Sequence, residues 1–404
     1  MRTKLMFAAF GAALMVTSCS QDDVVSVNNE NAITFRASTT AASRATTQYD
    51  NFTLDNFKVY AYDQDDNTFM SGIEVSKSGS DWTYSGTKYW PNSGSLDFYS
   101  FAPASFDGYE NKAFKAHTVP AKAEEQIDLL YAFNGDLTKQ ESAVNVNFRH
   151  AFSQIVFKAK MKENCELDIV IDGVQIVNAA NTSTGFTFPT TTTKDRFEYE
   201  KAESYKSSNV GSWTTPTGAE TFTAGIISTT VSSEEKNITR AEGTDDEGNI
   251  IPGGALMLLP QTLTAWEPTV NPSPKAEGQT GTYFLVKCSI KDGNTYIWGS
   301  APVEEGKDQD GNVTNPASSG TKYVAIPLSG SWEIGKRYEY TFVFGEGAGY
   351  NPDPDPDPED PKPEPVLVPI TFTVNVDDFV PGNNFELSKD WPKTDETGGN
   401  TDNN

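Results

Sequence analysis

Apolar side chains occupy every second position over most of the chain between residues 54 and 345. The alternation is clear in 57–61, in 144–148, in 155–159 and in 338–344, where four aromatic residues alternate. A period of two residues is typical of β-strands with one buried face, whereas helices repeat every 3.6 residues. The pattern therefore predicts an all-β protein, with at most one helical turn within 122–133.

Two Asp-Gly pairs, Asp172-Gly173 and Asp292-Gly293, lie between alternating segments. Such a pair is a strong hairpin signal because the turn requires positive φ angles, so each predicts a hairpin. Many short strands joined by turns favour β-sandwiches. The 404 residues exceed the length of about 250–300 at which a single core usually stops growing, so we expect two domains, 45–141 and 142–346.

A further strand is predicted at 366–380, beyond a linker at 347–365 in which proline alternates with acidic residues. Such a linker should be extended, and a flexible tail, 381–404, is expected after the strand. One isolated strand is unstable in water. It either folds back onto its own domain or pairs with another molecule, and the stiff linker favours the second. Its apolar stripe consists of Val366, Val368, Ile370, Phe372, Val374 and Val376.

The first 18 residues predict a secretory signal peptide, since Arg2 and Lys4 precede an apolar run that is shorter than the ~20 residues a membrane helix needs. The run ends in Val-Thr-Ser-Cys, which resembles a bacterial lipobox and predicts acylation of Cys19, for example with palmitate. The acidic residues behind Cys19 resemble the surface-export signal of Bacteroidetes lipoproteins. We therefore expect an anchor in outer-membrane lipid, with the protein facing outwards.

A short strand is predicted near the N-terminus, with Ile33, Phe35 and Ala37 on one face. The run of small and hydroxylated residues at 37–48 cannot pack a core and predicts an exposed loop, which contains Arg44. The tripeptide Ile-Thr-Phe at 33–35 recurs at 370–372. This repetition suggests that the two strands could occupy equivalent grooves.

Composition and charge point to a binding or structural protein. The net charge of -25 argues against nucleic acid as a partner, because phosphate contacts require clustered Lys and Arg. Residues 346–404 alone hold 14 acidic residues against three lysines. Two histidines and three cysteines leave little material for a zinc site or a histidine-based triad, so we expect no enzyme activity, catalytic residue, metal or cofactor.

Several single residues have a structural and a functional interpretation. His150, which borders a strand, is expected to be structural. Cys165 and Cys288 either form a disulfide or remain separate thiols, with unpaired thiols favoured. Trp90 is expected in the core, but as a sugar-stacking platform it would indicate the rival function, a surface glycan-binding lipoprotein.

The order and spacing of several short motifs resemble the fimbrillin family of Bacteroidetes, the type V pilins that include the Mfa-like fimbrillins. The motifs are the lipobox ending at Cys19, the strand and Arg-containing loop at 32–45, FKVYA at 57–61, YWP at 89–91, LDFYSFAP at 96–103, FRHAFSQI at 148–155 and LLPQ at 258–261. The resemblance implies two tandem transthyretin-like β-sandwich domains with a C-terminal extended donor-strand tail.

The resemblance also implies a mechanism of assembly and a role in cell adhesion. An extracellular Arg-specific protease would cleave the exported lipoprotein after Arg44, or as a second choice after Arg36, which lies inside the predicted strand. Cleavage would release the tether and first strand, 19–44, with Ile33 and Phe35 as its buried residues, and open a groove. Another pilin subunit would fill the groove with its strand at 366–376, and an extracellular pilus would grow. The sequence does not identify the surface receptor. Shorter pilins lack this linker and tail, so the sequence also leaves open whether the subunit has a stalk, anchor or tip role.

Overall fold

The computed structural model describes residues 31–39, 54–79, 81–193, 210–244, 250–268, 280–307, 313–347, 349–352 and 370–378. These residues are organised as β-strands with a 3-10 turn at Ala123–Glu125, so the all-β prediction is confirmed. The signal segment, Cys19, Arg44, most of the linker and the tail lie outside the described residues, and what the sequence predicts for them stays a prediction.

The N-terminal part of the chain forms a sheet that closes on itself in the order β1-β10-β9-β5-β2-β3-β4. Its strands have one face in the barrel interior, where Phe57, Phe98 and Phe148 are fully buried. The strands in this part are β1 (Phe35–Thr39), β2 (Asn56–Asp63), β3 (Thr68–Ser78), β4 (Asp81–Thr83), β5 (Leu96–Ala102), β6 (Tyr109–Glu110), β7 (Ala113–Phe114), β8 (His117–Thr118), β9 (Leu130–Leu137) and β10 (Val144–His150).

The remaining strands form the C-terminal part. They are β11 (Ser153–Met161), β12 (Asp168–Ala179), β13 (Thr182–Ser183), β14 (Phe186–Thr187), β15 (Ser212–Trp213), β16 (Glu220–Thr223), β17 (Thr229–Thr230), β18 (Lys236–Asn237), β19 (Gly243–Thr244), β20 (Ile250–Ile251), β21 (Leu256–Leu258), β22 (Gln261–Leu263), β23 (Tyr283–Asp292), β24 (Thr295–Trp298), β25 (Gly306–Lys307), β26 (Val313–Asn315), β27 (Lys322–Pro327), β28 (Gly330–Trp332), β29 (Lys336–Phe344) and β30 (Ile370–Asp378).

Two sheets of this part pack face to face through aromatic side chains. One sheet has the order β18-β11-β29-β30, and the other has the order β16-β12-β23-β24. The ring of Phe284 in the second sheet lies 5.9 Å from Phe157 and 5.3 Å from Phe342 in the first, measured between ring centroids. Alternating inward side chains from both sheets thus make a sandwich core, as the period-two pattern predicts.

The barrel and the sandwich share one apolar cluster. In β5, Phe98 points into the barrel, whereas its neighbours Tyr99 and Phe101 belong to the cluster that continues into the sandwich. The junction residue Phe152 is 1% exposed, and its ring stacks on Trp213 with centroids 5.5 Å apart. The indole of Trp213 also donates a hydrogen bond to the Ala151 carbonyl at 2.6 Å. The junction is therefore a packed joint, and both faces of β5 are buried.

Replacing Phe152 with alanine is expected to destabilise the folded chain by about 3–5 kcal/mol, because it removes a fully buried ring and leaves a cavity. Urea denaturation followed by tryptophan fluorescence measures the change. Ile227→Ala, at a side chain that is 49% exposed, is the control and should change stability by less than about 0.5 kcal/mol. Similar losses in the two variants would contradict the packed joint.

The structure changes two of the sequence interpretations. Asp172-Gly173 does not form a hairpin: it lies inside the continuous strand β12, at a bulge where the register with β23 shifts between Ile171 and Gly173. The second pair behaves as predicted, since β23 and β24 are joined by a tight turn in which Gly293 has a φ of 55°. The predicted domain boundary at 141/142 also differs, because β10 pairs with β1 and β9 in the barrel.

Candidate functional site

The N-terminal strand is built into the wall of the barrel. β1 pairs in parallel with β10, from Phe35 opposite Val144 to Thr39 opposite Phe148. On its other side it pairs with β4 only where Phe35 faces Trp82. The strand extends to Thr39, two residues beyond the predicted face ending at Ala37, because β10 continues to offer pairing partners.

The inward side chains of this segment fill a site in the barrel core. Ile33 is 1% exposed and Phe35 is 4% exposed. The Phe35 ring lies among three others, with centroid distances of 6.1 Å to Phe57, 5.7 Å to Tyr84 and 6.0 Å to Phe98. Removing the strand would leave an apolar slot with an aromatic site at its centre, which we call the β1 groove.

A hydrogen-bond network holds the start of the strand. The Tyr84 hydroxyl donates to the Ile33 carbonyl at 2.7 Å and accepts a bond from the Lys88 backbone N–H at 3.1 Å. Burial raises the pKa of Tyr84, so the hydroxyl remains a donor at neutral pH. On the β10 side, the Val144 N–H donates to the Thr34 carbonyl at 2.8 Å. The sequence gives no separate signal for Tyr84, since a tyrosine in a turn region is ordinary.

The two candidate cleavage sites differ in their surroundings. Arg36 is exposed, but its backbone lies within β1, opposite Asn145 in the ladder with β10. A protease must bind its substrate in an extended form, so the ladder would have to open before cleavage there. Arg44 lies outside the described residues. The placement of Arg36 therefore favours Arg44 without testing it.

The C-terminal strand docks on its own chain. β30 pairs antiparallel with β29 over nine residues, from Ile370 opposite Phe344 to Asp378 opposite Lys336. This is the first of the two alternatives that the sequence leaves open. β30 lies at the end of the sheet order, and no other described strand pairs with its outer side. It is thus the edge strand of this sheet.

The apolar stripe of β30 is only partly covered in this position. Ile370 is 1% exposed, and the Phe372 ring packs 5.1 Å from Phe284 and 5.5 Å from Tyr340. The next two members of the stripe, Val374 and Val376, are 48% and 47% exposed. Val366 and Val368 precede the described part of the strand. The described stripe therefore passes from buried to exposed along its length.

The remaining candidate residues are structural. Trp90 is 5% exposed and packs 5.8 Å from Phe98 in the barrel core, so it cannot serve as a sugar-stacking platform. His150 is 2% exposed, and its Nδ1 lies 2.8 Å from a carboxylate oxygen of Asp128, next to the domain junction. Cys165 and Cys288 are both free thiols, and burial raises the pKa of Cys288 to about 12.

In the part of the chain that is described, no helix is long and apolar enough to span a bilayer.

The family model for fimbrillin-like proteins matches residues 40–355 of the sequence. The chain belongs to the fimbrillin-like family. Membership supports a pilus-subunit role and a surface or extracellular location, since the family is one of fimbrial structural proteins. The resemblance drawn from the sequence motifs is therefore confirmed, and the matched region covers strands β2 to β29, with β1 and β30 outside it.

Comparison with solved structures gives matches at low sequence identity. A crystal structure of a fimbrial protein from Bacteroides vulgatus shares 14% identity and a TM-score of 0.44, covering 87% of this fimbrillin-like chain and all of that chain. The tip fimbrial protein Mfa3 from Porphyromonas gingivalis, with a C-terminal truncation, shares 11% identity and a TM-score of 0.32, covering 85% of this chain and 97% of that chain. No curated protein matches the sequence.

Proposed function

We propose that this fimbrillin-like chain is a surface-anchored pilus subunit that polymerises by strand exchange and supports cell adhesion. Acylation of Cys19 anchors the exported protein in the outer membrane, and an extracellular Arg-specific protease cuts after Arg44. The segment carrying β1 then leaves the barrel. The C-terminal strand of another subunit enters the β1 groove and extends the pilus.

The observation that carries this proposal is a contrast in burial between two similar strands. The segment that leads into β1 and the first residue of β1 hold Ile33 and Phe35 almost completely buried, whereas β30, which begins with the same Ile-Thr-Phe sequence, leaves Val374 and Val376 about half exposed at a sheet edge. Transfer of β30 into an emptied β1 groove would bury more apolar surface than docking on β29 does. Burial of apolar surface is the main driving force of association, so the exchange is favourable.

The size of the gain suits a long-lived joint. Each Val, Ile or Phe side chain contributes about 1.5–3 kcal/mol when it is fully buried, so complete burial of the six-residue stripe would set an upper limit on the order of 10 kcal/mol before ordering costs. Cleavage makes the exchange one-way, because β1 is then no longer covalently linked to the barrel. The acidic Pro-rich linker would keep the donor extended and allow it to reach a neighbouring subunit.

Limited trypsin digestion of the purified chain tests this function. We expect a ladder of SDS-resistant oligomers on unboiled gels after cleavage, and monomer alone before cleavage. N-terminal sequencing should show that the new end begins at Ala45. Cleavage at that bond with no oligomers would argue strongly against polymerisation by strand exchange.

A matched pair of variants separates the two cleavage sites. Arg44→Gln is expected to prevent the ladder, whereas Arg36→Gln should leave it intact because Arg36 lies within the β1–β10 ladder. The pair is well matched because each substitution removes a single guanidinium. The opposite result, with Arg36→Gln blocking assembly, would move the processing site into β1.

A further inference from the structure

We propose that the donor strand enters the β1 groove in one register and one direction: parallel to β10, with Phe372 at the position of Phe35. Ile370 then takes the place of Ile33, and Val374 that of Ala37. This inference rests on the proposed function and specifies its partner contact. It follows from the shape of the groove, from the order of side chains in the two strands and from the outer surface of β10.

The aromatic site at the centre of the groove selects the register. Phe35 occupies it now, with three rings within 6.1 Å of its own centroid. The stripe of the donor contains a single aromatic residue, Phe372, and its other members are aliphatic. A shift of two residues would put a valine or an isoleucine into this site and leave a cavity beside the three rings. Cavities lower stability in proportion to their volume, so the unshifted register is preferred.

The neighbouring positions agree with this register. Ile370 is identical to Ile33, which it replaces at a site that is 1% exposed. Val374 is larger than Ala37, but Ala37 is only partly buried against the barrel core, so a larger side chain there can extend toward solvent. In the reverse direction, centred on Phe372, a valine would fall at the Ile33 site and underfill it. Size complementarity therefore favours the parallel direction that β1 itself adopts.

The outer surface of β10 is consistent with the same arrangement. β1 places Arg36 beside Asn145 and Ser38 beside Asn147 in the parallel ladder. In the proposed register these positions are taken by Thr373 and Asn375, so polar residues remain on the outer face. One step further, the register brings Asp377 beside Arg149 of the receiving subunit, which pairs a carboxylate with a guanidinium. Opposite charges on neighbouring strands stabilise a sheet.

Cysteine cross-linking between two subunits tests the register. One full chain carries Asn145→Cys and a second carries Thr373→Cys, both in a background of Cys19→Ser and Cys165→Ser. Cys288 is retained, since its burial and raised pKa keep the thiol unreactive. Both chains are cut with trypsin, mixed in equal amounts and oxidised. Facing residues on paired strands lie about 4.8 Å apart, within the range that a disulfide spans.

The matched control replaces Thr373→Cys with Thr371→Cys. A displacement of two residues adds about 6.6 Å along the strand, which puts the thiols beyond disulfide distance in the proposed register. In the reverse direction, Thr371 rather than Thr373 would face Asn145. We expect a covalent dimer on boiled, non-reducing gels from the Thr373→Cys mixture, at least tenfold more abundant than from the Thr371→Cys mixture.

The outcomes distinguish the register from the function. A ladder on unboiled gels together with a covalent dimer from the Thr371→Cys mixture would contradict the proposed register but remain consistent with strand exchange. A ladder with no covalent dimer in either mixture would contradict the proposed register as well. If the parent chain forms no ladder of oligomers after cleavage, strand exchange itself is wrong, and the proposed register is then wrong as well.

Discussion

Replacing Phe372 and Val374 together with aspartate is expected to abolish the oligomer ladder. In the proposed joint position 372 lies in the aromatic site of the β1 groove, where a carboxylate has no partner and loses its hydration, and position 374 lies at the partly buried site of Ala37. An uncompensated buried charge costs several kcal/mol, so the two together should weaken assembly at least about a thousandfold. The measurement is the fraction of subunits in SDS-resistant oligomers after cleavage at Arg44, across a range of protein concentrations.

The matched control adds the same two charges to the other face of the strand. Thr373→Asp with Asn375→Asp changes two side chains that are exposed in the structure and that remain on the outer face in the proposed joint. This variant should assemble to within about tenfold of the parent, since exposed charges contribute little. Equal loss of assembly in both variants would contradict an inward-facing stripe and point to a general effect of negative charge.

The monomer should tolerate the inward-facing change better than the polymer does. In the monomer Val374 is half exposed and Phe372 is only partly covered, at the edge of the sheet. We therefore expect the uncut variant to remain folded, with a melting temperature a few degrees lower, as measured by circular dichroism. An unfolded variant would instead indicate that β30 is an integral part of the sandwich core.

Local patterns in the sequence were sufficient for the strands themselves. The alternation at 338–344 is strand β29, and the hairpin at Asp292-Gly293 is present, because both depend on residues close together in the chain. Trp90, which the sequence predicts in the core, is 5% exposed. In this protein, period-two alternation and the residues that favour tight turns are therefore enough to predict which segments form strands, without knowledge of the tertiary structure.

Pairing between distant strands could not be predicted in the same way. Asp172-Gly173 has the sequence of a hairpin turn. The residues before and after it both pair with β23, however, and this pairing stabilises β12 as one long strand with a bulge. The predicted boundary at 141/142 puts the residues of β10 in the second domain, whereas the partners β1 and β9 place the strand in the barrel. The docking of β30 on β29 likewise depends on an open sheet edge that the sequence does not mark.

The β1 groove was predicted in part. Ile33 and Phe35 were identified from their alternation, and the structure places both in the barrel core. The walls of the groove were not identified, because Tyr84 and Trp82 come from a turn and a three-residue strand that carry no periodic signal. Residues that close a site from short segments are visible only once the barrel brings them next to β1.

Truncation after Pro352 is expected to remove self-assembly while the remaining chain still folds. The deletion removes the donor stripe, and among the described residues that it removes, Ile370 and Phe372 are the apolar side chains packed against the sandwich. The loss of stability should be at most about 3–6 kcal/mol, from two apolar side chains. Urea denaturation measures this loss. A truncated chain that fails to fold would support the alternative in which the strand serves only to complete its own domain.

The truncated chain also provides a direct test of directionality when it is combined with the Arg44→Gln variant. After trypsin treatment the truncated subunit has an open β1 groove and no donor strand, whereas the Arg44→Gln subunit has a donor strand and a groove still filled by β1. Neither can grow alone, and together they can form one joint. We expect a species of one subunit of each kind on size-exclusion chromatography, and no longer oligomers at any mixing ratio. Longer oligomers would mean that a second contact, independent of the groove and the donor strand, links the subunits.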